Sequence, residues 1–218
     1  MDATGRLPIA ILGAGGFAEE IADLLEDLSE LELIAFVESA DRNRCGKTLL
    51  GRPVIWIDET PALGPDCRYI CSVGSPAQRK SFVADALSRG LKFTTIIHPK
   101  AHVAPSSTIG EGCVLHPGVI VAARTVVGRH TLVNRGCLIG HHAEIGEYVT
   151  VSPGANIAGR TRIGELAYIG MGSLVLDGLH VGERSVVGSG ALVTKDVAAR
   201  TQVMGMPARV TKENIEGK

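Results

Sequence analysis

Ile, Leu or Val occupies every sixth position of the chain from Ile109 to Val193, fifteen times in succession. Neither the period of a helix, about 3.6 residues, nor that of a strand, about two, produces such a column. The residue after each aliphatic is small in most repeats, and the residue four positions after it is small or slim. One hexapeptide cannot bury its own apolar side chain, so the pattern predicts stacked copies in a parallel β-helix. Two weaker members, Ile97 and Val103, extend the column backwards.

Residues 8–97 lack this period and alternate apolar strands with helical segments. Alternating strands and helices are typical of an α/β domain with a parallel sheet. We therefore predict a Rossmann-like nucleotide-binding domain over residues 1–97 and a β-helix with a C-terminal tail over residues 98–218. Strands of the first domain are predicted at 8–12, 33–38, 54–57, 68–73 and 93–97, and helices at 19–28 and 76–88.

A glycine-rich turn follows the first strand. It reads Gly-Ala-Gly-Gly-Phe-Ala over residues 13–18, similar to the dinucleotide fingerprint G-x-G-x-x-G/A, and Glu38 lies where an acidic residue can reach a ribose hydroxyl. Glycines let a phosphate or ribose approach the N–H groups at a helix N-terminus. The domain is long enough for one mononucleotide-binding half, so a complete NAD site is not expected. The alternative is a turn that only joins strand to helix.

The net charge and the cysteine content limit the binding partners and the cellular compartment that we expect. The formal net charge is −1 and the pI is near 6.7, so neither nucleic acid nor an anionic membrane is an expected partner. No stretch approaches the roughly 20 apolar residues of a membrane-spanning helix, and residues 7–12 are too short for a signal peptide. Five cysteines, an odd number, favour reduced thiols over a disulfide framework. A cytoplasmic protein is expected.

The order of motifs along the chain resembles one known family. A small α/β domain, His98-Pro99 at the junction, the hexapeptide run and Gly205-Met206-Pro207-Ala208 are similar to the sialic acid O-acetyltransferase-like family of hexapeptide-repeat acyltransferases. That family includes N-acetyltransferases of the bacillosamine and perosamine type. The resemblance implies a left-handed β-helix with about three hexapeptides per coil, hence four to five coils between residues 109 and 193. It also implies a homotrimer, acetyl-CoA as co-substrate, no metal, and a UDP- or GDP-linked 4-amino-deoxysugar as acceptor.

Site residues follow from the same resemblance, position by position. The first domain would hold the sugar nucleotide and the solenoid would hold the coenzyme. Asn134 matches a family asparagine near the amino sugar, with a turn cap as its alternative role. The implied substrate-binding residues are Gly13, Ala14, Gly15, Glu38, Ser39, Gly74, Arg79 and Asn134, and the implied acetyl-CoA-binding residues are Thr150, Gly159, Met171, Ser189 and Pro207.

Two adjacent histidines, His141 and His142, lie in the middle of the hexapeptide run. Acetyl transfer from a thioester to an amine needs a base for the amine proton and a donor for the developing oxyanion. Imidazole, with a pKa of about 6.5, suits the first task. The resemblance implies His141 as the base and the Gly159 N–H as the donor, with His142 as the second catalytic candidate.

The neighbourhood of the base differs from the family pattern. Neighbouring strand residues point to opposite faces, so only one of the two imidazoles is expected in the pocket. The family commonly has an acidic residue where this chain has His142. That difference leaves Glu144, or an acid from another coil, as the expected group that orients His141.

Three other functions are compatible with a hexapeptide solenoid. O-acetylation of a sialic acid is the nearest alternative, because these residues do not separate an amine acceptor from a hydroxyl. A non-catalytic sugar-nucleotide-binding solenoid is the second. The third is the zinc-dependent γ-class carbonic anhydrases, whose ligands include two histidines five residues apart, and no histidine pair in this chain has that spacing.

Overall fold

The structure, a computed structural model, describes residues 5–218, so residues 1–4 of the predicted first domain lie outside the described residues. The chain separates into two compact units. One comprises the residues up to 74 together with 78–95, and the other comprises 75–77 together with 96–218. The division falls two residues before the boundary expected from the sequence. The nucleotide-binding and coenzyme-binding roles of the two domains stay predictions.

A five-stranded sheet forms the centre of the first unit. Its strands are β1 (Leu7–Leu12), β2 (Leu31–Glu38), β3 (Thr48–Leu49), β4 (Arg52–Trp56) and β5 (Arg68–Cys71), its helices are α1 (Gly16–Glu26) and α2 (Pro76–Ser88), and 3-10 segments occur at Arg42–Arg44 and Ile57–Leu63. The strand order is β3-β4-β2-β1-β5, and β3 runs antiparallel to β4 while the other pairs are parallel. Residues 9–12 of β1 are fully enclosed, as expected for an inner parallel strand.

The predicted elements of this unit are confirmed, but several of their ends differ. Strand β3 was not predicted, β5 ends at Cys71, two residues before its predicted end, and α1 ends at Glu26. Helix α1 begins at Gly16, earlier than predicted, because Gly15 takes the N-cap position. The segment 93–97 is not a single strand: Phe93 makes an isolated parallel bridge with Tyr69, whereas Ile96–Ile97 is the first strand of the second unit.

The second unit is the predicted left-handed parallel β-helix, in which two-residue strands stack into three faces. Face 1 contains Ile96–Ile97, Val114–Leu115, Leu132–Val133, Thr150–Val151, Tyr168–Ile169, Val186–Val187 and Gln202–Met204, with Arg209–Lys212 antiparallel at its end. Face 2 contains His102–Val103, Ile120–Val121, Leu138–Ile139, Asn156–Ile157, Leu174–Val175 and Leu192–Val193. Face 3 contains Thr108–Ile109, Val126–Val127, Glu144–Ile145, Arg162–Ile163 and His180–Val181. The turns that join the faces are named corner 1–2, corner 2–3 and corner 3–1.

The aliphatic column forms the core of the solenoid, as predicted. Every member after Ile109 is buried, and the slim column four residues later fills the remaining interior. Hydroxyl groups in that second column donate to turn carbonyls fifteen residues later: Thr125 to Gly140 at 2.8 Å and Thr131 to Gly146 at 2.9 Å. Ser173 and Thr161 in the same column donate instead to carbonyls three residues earlier, Gly170 O and Ala158 O, both at 2.8 Å. Turn carbonyls thus satisfy the hydroxyl groups inside the solenoid.

A further column, three residues after each aliphatic, has a left-handed backbone. From Gly112 to Gly190 every sixth residue has φ between 55° and 74°. Corner 1–2 uses glycine throughout this column, whereas the other corners also carry larger residues such as Arg124, His142 and Arg160. Sequence reasoning missed the column because its members share a backbone conformation and not a side-chain type.

The solenoid extends beyond residues 109–193, the span for which four to five coils were predicted. Strand partners on a face are eighteen residues apart, as in Ile120 and Leu138, and face 2 has six strands within the described range, which makes six coils. The sequence count used only the uninterrupted column. Strands before Ile109 start an extra coil, and Val197 and Val203 continue the stack after the period changes. Within residues 5–218 no helix is long and apolar enough to cross a membrane.

Candidate functional site

The glycine-rich turn lies at the carboxyl end of β1. Gly13 has a φ of 105°, and a Cβ on it would lie 2.5 Å from the Ser72 hydroxyl, which donates to Leu12 O at 2.8 Å. The turn itself therefore requires Gly13. Gly15 differs, because its φ is −100° and the nearest atom to an added Cβ is 3.8 Å away. The space over Gly15 is open to a ligand.

Arg44, which sequence reasoning missed, lies beside this turn. Its Nη1 donates to Ala14 O at 3.4 Å and is 3.9 Å from Glu38 Oε2. Glu38 is buried at the end of β2, and its Oε1 accepts from the N–H groups of Ser39 at 3.1 Å and Ala40 at 3.2 Å. One oxygen of Glu38 is thus committed to its own loop. The only signal for Arg44 in the sequence was a basic residue soon after the acidic one.

The turn lines a cavity of about 290 Å³ that Val73 and Phe82 also contact. A cavity of about 460 Å³ in the same domain lies at the 3-10 segment Ile57–Leu63 and includes Cys67. Open α/β sheets bind ligands at the carboxyl ends of their strands. Cys67 precedes β5 whereas Ser72 follows it, so the smaller cavity is at the expected end. It is the candidate nucleotide site.

Arg79, an implied substrate-binding residue, is fully buried. Its Nη1 donates to the carbonyl oxygens of Val73 at 2.7 Å and Gly74 at 3.2 Å. These hydrogen bonds hold the segment after β5, where Gly74 is exposed. Direct substrate binding by the enclosed Arg79 guanidinium stays a prediction.

His141 and His142 form the turn at corner 2–3 and are both exposed. Because they are turn residues and not strand residues, the alternation of neighbouring side chains expected in a strand does not apply to them. The argument that placed only one of the two imidazoles in the pocket therefore fails. The rings meet edge to face with centroids 5.3 Å apart, and their Nδ1 atoms are 3.1 Å apart. Glu144 instead pairs with Arg162 at 3.5 Å. The group in contact with the His141 ring is therefore His142.

The next coil places Gly159 against the His141 ring. A Cβ on Gly159 would lie 2.8 Å from both Cε1 and Nε2 of His141, so only glycine leaves room for the imidazole. In the described part of the chain the Gly159 N–H makes no backbone hydrogen bond. Its neighbours do, since the Ala158 N–H donates to Val175 O and the Arg160 N–H donates to His141 O. A proton acceptor and an uncommitted amide donor thus meet on adjacent coils.

Face 3 carries an open groove of about 710 Å³ beside this corner. His142 lines it together with Arg124, Glu165 and the exposed pair of Glu144 and Arg162. Exposed ion pairs of this kind add little to stability. They give the surface next to His142 a mixed charge.

Two implied coenzyme residues lie away from the histidines in a single chain. Met171 and Ser189 are exposed at corner 1–2, whereas His141 and Gly159 are at corner 2–3. The two corners are separated by face 2. One chain alone therefore does not bring these residues together.

The remaining solenoid residues differ in accessibility. Asn134 is buried and its Nδ2 donates to Val151 O at 3.1 Å, the geometry of the alternative turn-cap role. Thr150 is also buried, on face 1, and its contact with the coenzyme stays a prediction. Pro207 is exposed after the last parallel strand.

Of the other histidines, His98, His116 and His130 are buried, whereas His102 and His180 are exposed strand residues of faces 2 and 3. Burial, assisted by the charges of Arg135 and His98, lowers the pKa of His116 to about 4, and His130 stacks on Tyr148 with ring centroids 5.1 Å apart. Within residues 5–218, no three His, Cys, Asp or Glu side chains are grouped so that they could hold a metal ion.

Part of the chain matches known sequences. Residues 8–86 match the family described as PglD N-terminal domain. The UDP-N-acetylbacillosamine N-acetyltransferase of Bacillus subtilis (strain 168) is 34% identical over 108 residues, which are 49% of this chain and 50% of that protein. The match thus spans about half the length of this curated relative.

Solved structures cover nearly the whole chain. A histidine-to-asparagine mutant of perosamine N-acetyltransferase from Caulobacter crescentus, in complex with CoA and GDP-perosamine, has a TM-score of 0.88 and 26% identity, over 94% of this chain and 97% of that one. The acetyltransferase domain of PglB from Neisseria gonorrhoeae FA1090 has a TM-score of 0.85 and 30% identity, over 94% and 100%. That domain has also been solved with acetyl coenzyme A. The predicted fold class is confirmed by this likeness.

Proposed function

The chain belongs to the sugar-nucleotide acetyltransferase family, and we propose that it transfers the acetyl group of acetyl-CoA to the amine of a UDP- or GDP-linked 4-amino-deoxysugar, for surface glycan biosynthesis. The observation that carries the proposal is the contact between His141 and Gly159, which sets a base beside an amide donor. The similar proteins act on, or are bound to, nucleotide-linked sugars of this kind.

Two groups of the chain serve the reaction. The amine nitrogen attacks the thioester carbonyl carbon, and the Gly159 N–H donates to the oxygen as it gains charge. His141 Nε2 takes the proton that the nitrogen loses. When the tetrahedral intermediate collapses, the C–S bond breaks and the imidazolium returns its proton to the departing thiolate. The products are an amide and the CoA thiol, and His141 is neutral again.

A homotrimer completes the site in this proposal. Three triangular prisms that turn face 2 toward a common axis bring corner 2–3 of one chain against corner 1–2 of the next, so that the histidines meet the coenzyme residues. The outward side chains of face 2 support this packing, since Ile120, Leu138 and Leu174 are 45%, 39% and 38% exposed. Burial of this aliphatic ladder favours association.

We assign the reaction to the cytoplasm. The five cysteines are free thiols, as expected in a reducing compartment. Burial raises the pKa of Cys71 and of Cys137 to about 11, which keeps both protonated and unreactive.

Incubation with acetyl-CoA and a panel of UDP-, GDP- and dTDP-linked amino sugars, with thiol release as the readout, tests the function. We expect acetylation of a nucleotide-linked amine, and a kcat lower by about 10² to 10⁴ in His141→Ala with similar coenzyme affinity. Transfer only to a sialic acid hydroxyl would favour the O-acetyltransferase named by the resemblance. Absence of coenzyme binding in calorimetry would favour a non-catalytic solenoid.

A further inference from the structure

We propose that His142 accepts a hydrogen bond from His141 Nδ1 and so fixes the tautomer in which His141 Nε2 can take a proton. The inference deepens the proposed function and rests on it for its kinetic part. It starts from the 3.1 Å separation of the two Nδ1 atoms. Two imidazole nitrogens at this distance form a hydrogen bond only if one donates and the other accepts.

The role of His141 as the base decides the direction of this bond. If His142 donated, the His141 proton would reside on Nε2, and neither nitrogen of the His141 ring could then act as a base. If His141 donates, its Nε2 keeps the lone pair, on a ring that packs against Gly159. Only the second arrangement leaves His141 able to accept the amine proton. His142 then keeps its own proton on Nε2.

Nearby acids are engaged elsewhere, which leaves the role to His142. Asp177 bonds Arg160 at 2.5 Å, and Glu144 pairs with Arg162 at 3.5 Å. Arg124 and Arg160 precede and follow His142 by one coil in the left-handed column of corner 2–3. Glu147 and Glu165 line the same groove as His142 and belong to the charged groups near the pair. No carboxylate among the described residues bonds to the His141 ring.

The left-handed φ of 58° at His142 allows substitutions that change the side chain without straining the backbone. Glycine adopts this conformation without strain, so His142→Gly removes the ring and leaves the turn intact. Asparagine also tolerates it and offers a carbonyl oxygen as acceptor, and aspartate offers a charged one. Arg124→Gly is the matched control, since it makes the same backbone change one coil earlier with φ also 58°.

The experiment combines ring NMR with kinetics on the full-length protein. In ¹⁵N-histidine-labelled protein, long-range ring correlations should show His141 as the Nδ1–H tautomer in the parent and the Asn variant, and as the Nε2–H tautomer in His142→Gly. We expect kcat to fall about tenfold in His142→Gly, to recover in His142→Asn, and to change by less than about twofold in Arg124→Gly, with the KM for acetyl-CoA steady. In His142→Asp the carboxylate stabilises the imidazolium, so the acid limb of kcat should move to higher pH.

The two readouts separate this inference from the proposed function. An Nε2–H tautomer of His141 in the parent, or a tautomer unchanged by His142→Gly, overturns the inference even in a fully active enzyme. The expected tautomers in a protein that acetylates no acceptor would support the hydrogen bond and overturn the function. An equal loss of kcat in His142→Gly and His142→Asn would also overturn the positioning role.

Discussion

The contact between His141 and Gly159 determines where the base lies. Gly159 has no left-handed φ, so alanine there adds no backbone strain, and the three atoms nearest to its Cβ would all belong to the imidazole, the first at 2.8 Å. We expect Gly159→Ala to displace the ring and lower kcat by about 10 to 100-fold, because a shift of about 1 Å can cost 10² in rate. Melting should be unchanged. In a His141→Ala background the second change should cost nothing more, and a further loss there would indicate that the methyl group blocks the substrate instead.

The two glycines of the nucleotide turn respond differently to substitution. Gly15→Val fits the backbone and fills the open space of the cavity, so we expect at least a tenfold weaker affinity for the sugar nucleotide with normal folding. Gly13→Val would collide with Ser72 at a φ of 105° and should lower stability as well. Calorimetry and thermal melts distinguish the two, with coenzyme affinity as the control. Unchanged nucleotide affinity in Gly15→Val would place the ligand elsewhere.

The positions of single residues in the solenoid were predictable where the six-residue repeat fixes which coil and which corner they occupy. The family resemblance named His141 and Gly159, and the hexapeptide column sets them eighteen residues, one coil, apart. Burial was not predictable in the same way, because Arg79 and Thr150 owe it to what packs over them. The contact between His141 and His142 depends on a left-handed turn, a property of the backbone that the side chains do not reveal.

The left-handed column of the solenoid gives a test at the level of a turn. Gly154 has φ of 68° and nothing within 4 Å of an added Cβ, so Gly154→Ala measures backbone strain alone. We expect it to lower the free energy of unfolding by about 1 kcal/mol. Arg124→Gly relieves the same strain and should change stability by less than half that amount, since glycine also gains entropy when unfolded. Urea unfolding at fixed protein concentration decides, and an equal loss in both variants would contradict the strain argument.

The ends of the solenoid show why a sequence repeat predicts that coils form but does not predict how many there are. Val197 follows Val193 by four residues instead of six, so Val197 and Val203 are out of register with the column, yet they still pair with the coil before them. An antiparallel strand, Arg209–Lys212, then finishes face 1. Terminal coils must present one side to something other than a copy of themselves, so their sequence departs from the repeat.

The pH dependence of overall stability should reflect His116. Its pKa is about 4 in the folded protein and about 6.5 when unfolded, so the unfolded state binds more protons between these values. Stability is complete above about pH 6.5 and falls as the pH drops toward 4, by up to about 3 kcal/mol from this group. Urea unfolding from pH 4.5 to 7.5 should give a flatter dependence for His116→Gln. The same slope in both proteins would assign the loss to other groups.

Assembly of the whole molecule decides whether the site is shared between chains. His141→Ala disables corner 2–3, and Met171→Glu should disable corner 1–2 by placing a charge where the coenzyme is expected. If each site joins corner 2–3 of one chain to corner 1–2 of the next, random trimers from equal amounts of the two inactive variants contain about a quarter intact sites. We expect thiol release to recover to about a quarter of the parent rate after co-expression. A control mixture of His141→Ala with Gly159→Val, both at corner 2–3, should recover nothing. If each site lay within one chain, every chain in the first mixture would carry one of the two substitutions and no site would be intact. A mixture that sediments as a trimer but shows no recovery of thiol release would therefore overturn the shared site.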